Sequence, residues 1–246
     1  KLFKQSLLDF QIFNNCFYDQ INASNFEDLE VDWIWKSDNF GPNLDYFSRA
    51  TPIYADGLVY SVATTRRQVI AIDPDTGETI WAFREPETVR YLRSPRRAYG
   101  KGVAYGEVDG RGVIYFTSPA FFLWALDAKT GRPLEDWGTP VPLDDFSKTG
   151  VVDLIPDLVG DWGRWGEYMT DGRAYDANFG IPREIGMVTA SAPPIVVNGV
   201  VVVLVGHQPS YGQTRIENVP GDILAYDVAS GDFKWKFHVI PRPGEV

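Results

Sequence analysis

Three stretches of the chain share one pattern: Ala71-Ile-Asp-Pro-Asp-Thr-Gly-Glu-Thr-Ile-Trp81, Ala125-Leu-Asp-Ala-Lys-Thr-Gly-Arg-Pro-Leu-Glu135 and Ala225-Tyr-Asp-Val-Ala-Ser-Gly-Asp-Phe-Lys-Trp235. Each has an alanine, then an aspartate, then a Thr-Gly or Ser-Gly pair. The first and third copies end in tryptophan. An aspartate side chain can cap a turn, and glycine can adopt the left-handed conformation that a tight turn requires. The pattern therefore predicts a strand, a turn at the glycine, and a second strand that brings the tryptophan inward.

The spacing of the copies indicates a repeat architecture. Asp73, Asp127 and Asp227 lie 54 and 100 residues apart. A period near 50 with four strands per unit is typical of a β-propeller blade. The second interval holds no further copy, and we interpret its Gly-, Asp- and Trp-rich part as a long loop insertion at about residues 138–187. Loops of this kind cross one face of a propeller and often build its binding site.

The other strong local signals are β-hairpins. Residues 51–63 and 194–204 are β-branched and aromatic runs interrupted by Asp56-Gly57 and Asn198-Gly199. These dipeptides supply the positive φ angles of a type I′ turn. Helical periodicity is scarce after the first 30 residues. The sequence therefore predicts an all-β protein, a β-propeller of four-stranded blades.

Composition excludes several classes of function. The 246 residues are 44% hydrophobic, and their formal net charge is -10. This apolar content argues against disorder, and the acidic balance argues against a nucleic-acid or anionic-membrane partner. The longest apolar stretch, 195–205, is about half of the roughly 20 residues that a transmembrane helix needs. Cys16 is the only cysteine, so no intrachain disulfide is expected.

The Ala-x-Asp-x-x-Thr-Gly-x-x-x-Trp repeat resembles the tryptophan-docking motif of the quinoprotein alcohol and glucose dehydrogenases. These are eight-bladed propellers that use pyrroloquinoline quinone (PQQ). Further stretches similar to this family occur in family order: Asp19-Gln-Ile-Asn22, Asn25, Leu29, Trp33, Ala50-Thr-Pro52, Gly102-Val-Ala-Tyr105, Ser191-Ala-Pro-Pro194, Val219-Pro-Gly-Asp222 and His238-Val-Ile-Pro-Arg-Pro-Gly-Glu245. The resemblance implies that residues 1–246 are the N-terminal portion of one propeller domain, with about three blades and the start of a fourth. The C-terminal remainder of the domain is expected to lie outside this sequence.

The resemblance also implies an activity. An alcohol or a sugar would be oxidised by hydride transfer to PQQ, a bound calcium would polarise the quinone, and the catalytic aspartate would lie beyond residue 246. Electrons would pass to a cytochrome or a membrane quinone, and the protein would be periplasmic. A non-catalytic propeller that binds protein or polysaccharide through its loops is the alternative. We assign no catalytic residue and no metal ligand from the sequence.

Six residues are candidates for cofactor binding, because a tricarboxylate needs cationic groups and hydrogen-bond donors. The resemblance implies a role for three of them. At the position of Lys101 the family has an arginine that pairs with the cofactor, and at that of Ser191 it has a hydroxyl that hydrogen-bonds the cofactor. At the position of Arg49 the family has a Glu or Gln that contacts the quinone. Gly206, His207 and Gln208 stand where some members of the family have a run ending in a calcium-binding glutamate, which this chain lacks. Basic residues near 93–97 and Trp162 and Trp165 of the insertion are weaker candidates.

Two structural expectations follow. Arg49, Lys101, Ser191 and the 206–208 turn should converge at one end of the channel, since each lies beside a strand of a different blade. Trp81 and Trp235 should be buried against the repeated turn of a neighbouring blade. Because Glu135 occupies the tryptophan position of the second copy, that position should be packed less tightly unless Trp137 fills it.

Overall fold

The architecture is that of successive antiparallel sheets. The computed structural model of the chain describes residues 21–40, 49–64, 66–94, 100–141, 143, 149–159, 188–189, 192–207, 221–241 and 244–245. Regular structure in this part is almost entirely β, which confirms the predicted all-β class. The strands form three four-stranded sheets and one short pair.

The first sheet is the simplest case of the repeat. Its strands are paired in chain order: β1 Ile53–Ala55, β2 Leu58–Ala63, β3 Gln68–Ile72 and β4 Thr79–Phe83. Asp56 and Gly57 have φ angles of 46° and 83°, so the predicted hairpin is confirmed. Two 3₁₀ turns, Phe26–Asp28 and Ser37–Phe40, precede this sheet along the chain.

The second sheet takes its fourth strand from a distant part of the sequence. It consists of β5 Ala104–Val108, β6 Arg111–Thr117, β7 Phe122–Asp127 and β8 Val151–Asp153. The strand β8 lies inside the stretch predicted as a loop insertion at about 138–187, and a short helix, Leu154–Val159, follows it. Residues 160–187 lie outside the described residues. A second short helix, Val89–Arg93, connects the first two sheets.

The strands of the third sheet are also paired in the order in which they occur along the chain. It contains β10 Ile195–Val197, β11 Val200–Leu204, β13 Ile223–Asp227 and β14 Phe233–Phe237. Asn198 and Gly199 have φ angles of 47° and 77° in the second predicted hairpin, which is confirmed. Beside this sheet, β9 Val188–Thr189 pairs with β12 Gly206–His207. Among the described residues, no strand follows β14.

Each repeated turn contacts a tryptophan that lies earlier in the chain. The indole N–H of Trp33 donates to the carbonyl of Pro74 at 3.0 Å, that of Trp81 to Ala128 at 2.9 Å, and that of Trp137 to Val228 at 3.1 Å. Each acceptor belongs to one of the repeated turns. Trp81 is 9% exposed and Trp137 is 1% exposed, so the predicted burial of Trp81 and the filling of the second slot by Trp137 are confirmed.

The turn glycines receive these rings. Gly77, Gly131 and Gly231 all have positive φ angles, between 68° and 79°. A Cβ added to Gly77 would lie 2.8 Å from Cδ2 of Trp33, and one added to Gly231 would lie 3.0 Å from Cε2 of Trp137. A side chain at Gly77 would therefore collide with the docked indole, and one at Gly231 would make an unusually tight contact with it. The conformation and the close approach both require glycine.

The burial predicted for Trp235 is wrong. Its side chain is 43% exposed on β14, between the similarly exposed Phe233 and Phe237. Trp81 and Trp137 are buried because the repeated turn of the following sheet covers them. Trp235 lies on the last sheet of the described structure, so no such turn covers it. Most of the core lies between the first and second sheets and between the second and third, and a smaller cluster lies where the first sheet packs against Trp33, Trp35 and Phe40.

Candidate functional site

The three sheets meet at the end opposite the repeated turns, which we call the site end. It comprises the starts of β1, β5 and β10 and the ends of β2, β6 and β11. The backbone N–H of Thr51 donates to the carbonyl of Lys101 at 2.8 Å, which ties the start of β1 to the start of β5. A Cβ added to Gly102 would lie 3.0 Å from the carbonyl oxygen of Thr51 and 3.7 Å from Cβ of Pro193. The starts of the first strands of all three sheets therefore approach one another at Gly102.

A threonine makes the second contact at this end. Thr117, the last residue of β6, is buried, and its hydroxyl donates to the carbonyl of Ala192 at 3.2 Å. In the register that pairs Ala104 with Tyr115, Thr117 lies across from Gly102. Sequence reasoning missed Thr117. The available signal was a hydroxyl at the end of a strand, directly before a turn.

The structure brings some of the predicted site residues together. Arg49 is exposed, two residues before Thr51, and the exposed Lys101 lies on the strand start to which Thr51 is bonded. Gly206 and His207 form β12, opposite Thr189 and Val188. Their roles in cofactor binding stay predictions. Outside the described residues lie Ser191, Gln208, Arg96, Arg97, Trp162 and Trp165.

A buried charge cluster lies at the same end of the first two sheets. Glu85 follows β4, and its carboxylate accepts hydrogen bonds from the backbone N–H of Ala120 at 3.3 Å and the indole N–H of Trp124 at 3.2 Å. Arg90 forms a forked pair with Asp153, at 2.8 Å through Nη1 and 2.6 Å through Nη2. Burial raises the pKa of Glu85, partly offset by the hydrogen bonds that it accepts.

The cluster continues to the third sheet through the helix Leu154–Val159. The phenol of Tyr226 donates to the carboxylate of Asp157 at 2.9 Å, and the ammonium group of Lys236 donates to the backbone carbonyl of Asp157 at 3.0 Å. Burial raises the pKa of Asp157, and the Tyr226 hydrogen bond acts in the opposite direction. The helix Leu154–Val159 therefore connects the second and third sheets by polar contacts as well as by the apolar core.

The chemistry of the site end suits an anion. Arg49 and Lys101 are exposed cations on adjacent strand starts of an acidic protein, and guanidinium and ammonium groups form strong hydrogen bonds to carboxylates. Among the described residues, no three histidine, cysteine, aspartate or glutamate side chains cluster as a metal site would require. No described helix has the length and apolar character needed to cross a bilayer.

Comparison with known proteins identifies the relatives of this chain. A family model described as "PQQ: Glucose/ethanol/alcohol dehydrogenase, beta-propeller domain" matches residues 16–246. The quinohemoprotein alcohol dehydrogenase ADH IIB of Pseudomonas putida is 33% identical over 174 residues, which are 65% of this chain and 22% of the relative. The glycerol dehydrogenase large subunit of Gluconobacter oxydans is 29% identical over 238 residues, covering 92% of this chain and 27% of the relative.

Solved structures give the same result. The crystal structure of quinohemoprotein alcohol dehydrogenase from Comamonas testosteroni matches with a TM-score of 0.58 at 25% identity, over 91% of this chain and 25% of that one. The chain thus spans about a quarter of the length of the relatives that it matches.

Proposed function

Because the chain belongs to the β-propeller domain family of PQQ-dependent glucose, ethanol and alcohol dehydrogenases, we propose that it is part of an enzyme that oxidises an alcohol or a sugar. The observation that supports this proposal is the convergence of three strand starts at Gly102, with two cations beside them. A soluble cofactor with several carboxylates needs such convergence. Each charge-assisted hydrogen bond contributes only about 1.5–3 kcal/mol, so several must act together.

The residues at the site end fit PQQ. Arg49 and Lys101 would pair with its carboxylates, and Ser191 and residues 206–208 would complete the proposed set of contacts. When bound, PQQ supplies an electrophilic quinone that accepts hydride from the substrate. The work of this chain is to bind and orient that group. The Thr51–Lys101 hydrogen bond fixes the spacing of the two cationic strand starts, and Thr117 fixes the start of the third sheet.

Calcium, the electron acceptor and the location belong to the same proposal. The described residues contain no set of three metal-binding side chains, so we assign no calcium ligand here and derive no step through a metal ion. A cytochrome or a membrane quinone would take the electrons, and the enzyme would work in the periplasm. The alternative, a non-catalytic propeller that binds protein or polysaccharide, is disfavoured because the relatives named above are dehydrogenases.

The test is a titration of the full-length protein with PQQ in the presence of calcium, in which fluorescence reports PQQ binding. Lys101→Ala should weaken PQQ binding by about tenfold or more, the loss of one charge-assisted hydrogen bond. Lys129→Ala is the matched control, because Lys129 is an exposed lysine in a repeated turn at the opposite end of the second sheet. Equal affinities for wild type and Lys101→Ala would remove Lys101 from the site. No detectable PQQ binding by the wild type would refute the proposed function and favour the non-catalytic propeller.

A further inference from the structure

We propose that Arg90 is a positioning residue: its forked ion pair with Asp153 fixes the helix Val89–Arg93, which carries Arg93 and lies on the connection from β4 to the strand start of Lys101. The inference rests on the proposed function, because Lys101 matters only if the site end binds a cofactor. It assigns a role to a buried cluster that no part of the proposed chemistry uses.

The geometry makes Arg90 an anchor. Its guanidinium is 2% exposed, pairs through both terminal nitrogens with Asp153, and lies 4.2 Å above the ring of Phe122. Nη2 also donates to the carbonyl of Phe121 at 3.3 Å. One side chain from the connection between the sheets therefore contacts both the β6–β7 turn and the end of β8.

The connection is held at both of its ends. At the first end, Thr88 caps the helix Val89–Arg93 by accepting the N–H of Tyr91 at 3.1 Å, and Arg90 secures the helix to the second sheet. At the second end, the carbonyl of Lys101 accepts the N–H of Thr51. A helix of five residues is too short to be stable alone, so its place depends on these anchors.

Energetics favour a positioning role over a stabilising one. Removing two charges from water is costly, and apolar residues of similar volume that replace a buried ion pair are often neutral or stabilising. A forked guanidinium–carboxylate pair, however, fixes orientation in a way that apolar packing does not. Stability and positioning can therefore be separated by replacing both partners at once.

The experiment uses the full-length protein with the double substitution Arg90→Met and Asp153→Asn, because an amide oxygen can still accept the N–H of Ile155, which donates to Oδ1 of Asp153 at 3.1 Å. We expect a melting temperature close to that of the wild type, a rise in the PQQ dissociation constant of about tenfold, and faster hydrogen exchange at the amides of Tyr91, Leu92 and Ser94. The exchange measurement is made without cofactor. Arg111→Met is the control: Arg111 pairs with Asp127 at 2.9 Å on an exposed surface at the opposite end of the same sheet, and its loss should change neither the PQQ affinity nor the amide exchange.

Each outcome decides the proposal. An unchanged PQQ affinity together with unchanged amide exchange in a folded double variant overturns it. If the wild type binds no PQQ, the proposed function fails, and the exchange rates alone decide whether Arg90 holds the connection. Should the double variant not fold, Arg90→Lys replaces it, since lysine keeps the charge but loses the fork. Wild-type affinity and exchange in Arg90→Lys would likewise overturn the positioning role.

Discussion

The repeated turn at Gly131 allows the strongest test of how the sheets are joined. The substitution Gly131→Ala adds a Cβ that would lie 2.6 Å from Cδ2 of Trp81, at a position whose φ angle is 68°. Gly110→Ala is a matched control in the same sheet: its φ angle is 78°, and an added Cβ meets no atom within 4 Å. Both variants carry the left-handed strain of a non-glycine residue, but only Gly131→Ala strikes the indole.

The magnitudes follow from these two contributions. Left-handed strain costs roughly 1–2 kcal/mol in each variant. Overpacking against Trp81 adds about 1–3 kcal/mol to Gly131→Ala alone. The measurement is the urea-denaturation midpoint of the full-length protein at a shared m-value. We therefore expect Gly131→Ala to lower the free energy of unfolding by about 2–5 kcal/mol and Gly110→Ala by about 1–2 kcal/mol.

A double-mutant cycle isolates the collision. Trp81→Ala alone should cost about 3–5 kcal/mol, the usual range for truncating a buried aromatic residue. It leaves the carbonyl of Ala128 satisfied, because the hydroxyl of Tyr60 also donates to it at 3.0 Å. In the Trp81→Ala background, Gly131→Ala should cost no more than Gly110→Ala. Equal losses for the two glycine variants in the wild-type background would refute the docking of Trp81 on this turn.

Three further predictions concern the polar contacts that join the sheets. Thr117→Val should lower the free energy of unfolding by about 1 kcal/mol, because the hydrogen bond to Ala192 is lost. Thr117→Ser keeps the hydroxyl and should have the wild-type stability in urea denaturation. Equal stability of the two variants would exclude that bond. The raised pKa of Glu85 means that its contribution to stability is present below the ordinary glutamate pKa and is lost as the pH rises through the raised value. Glu85→Gln should therefore flatten the melting temperature against pH over that range, and an unchanged slope would contradict the assignment. Tyr226→Phe should lower the free energy of unfolding by about 1–3 kcal/mol and raise the pKa of Asp157 further. An NMR titration of Asp157 measures that pKa, and an unchanged midpoint would contradict the prediction.

Local sequence predicted those parts of the fold that depend on local backbone geometry. The hairpins at Asp56-Gly57 and Asn198-Gly199 follow from the positive φ angles that these residues tolerate. The repeated turns follow from an aspartate that accepts backbone N–H bonds, as Asp127 does from Lys129 and Thr130. The fourth strand of the second sheet was not predicted, because Val151–Asp153 is short and separated from β7 by a long connection.

The contacts of the site end were harder to predict, because they join distant segments. Thr117 and Ala192 are 75 residues apart, and Arg90 and Asp153 are 63 residues apart. No periodicity or short motif marks such pairs. The family resemblance predicted Arg49 and Lys101 as site residues, since it matches the starts of the strands of this chain to those of the family. It did not indicate what holds those strand starts in place.

The contrast between Trp81 and Trp235 shows what determines burial in a repeat. Both follow the same local pattern, yet Trp81 is 9% exposed and Trp235 is 43% exposed. The difference lies in the neighbour: the turn at Gly131 lies under Trp81, and the described residues place no turn under Trp235. All three repeated turns in the described structure already hold an indole, from Trp33, Trp81 and Trp137. Within the described residues no repeated turn is therefore left for Trp235, and its burial requires a glycine turn of the same kind from another part of the protein.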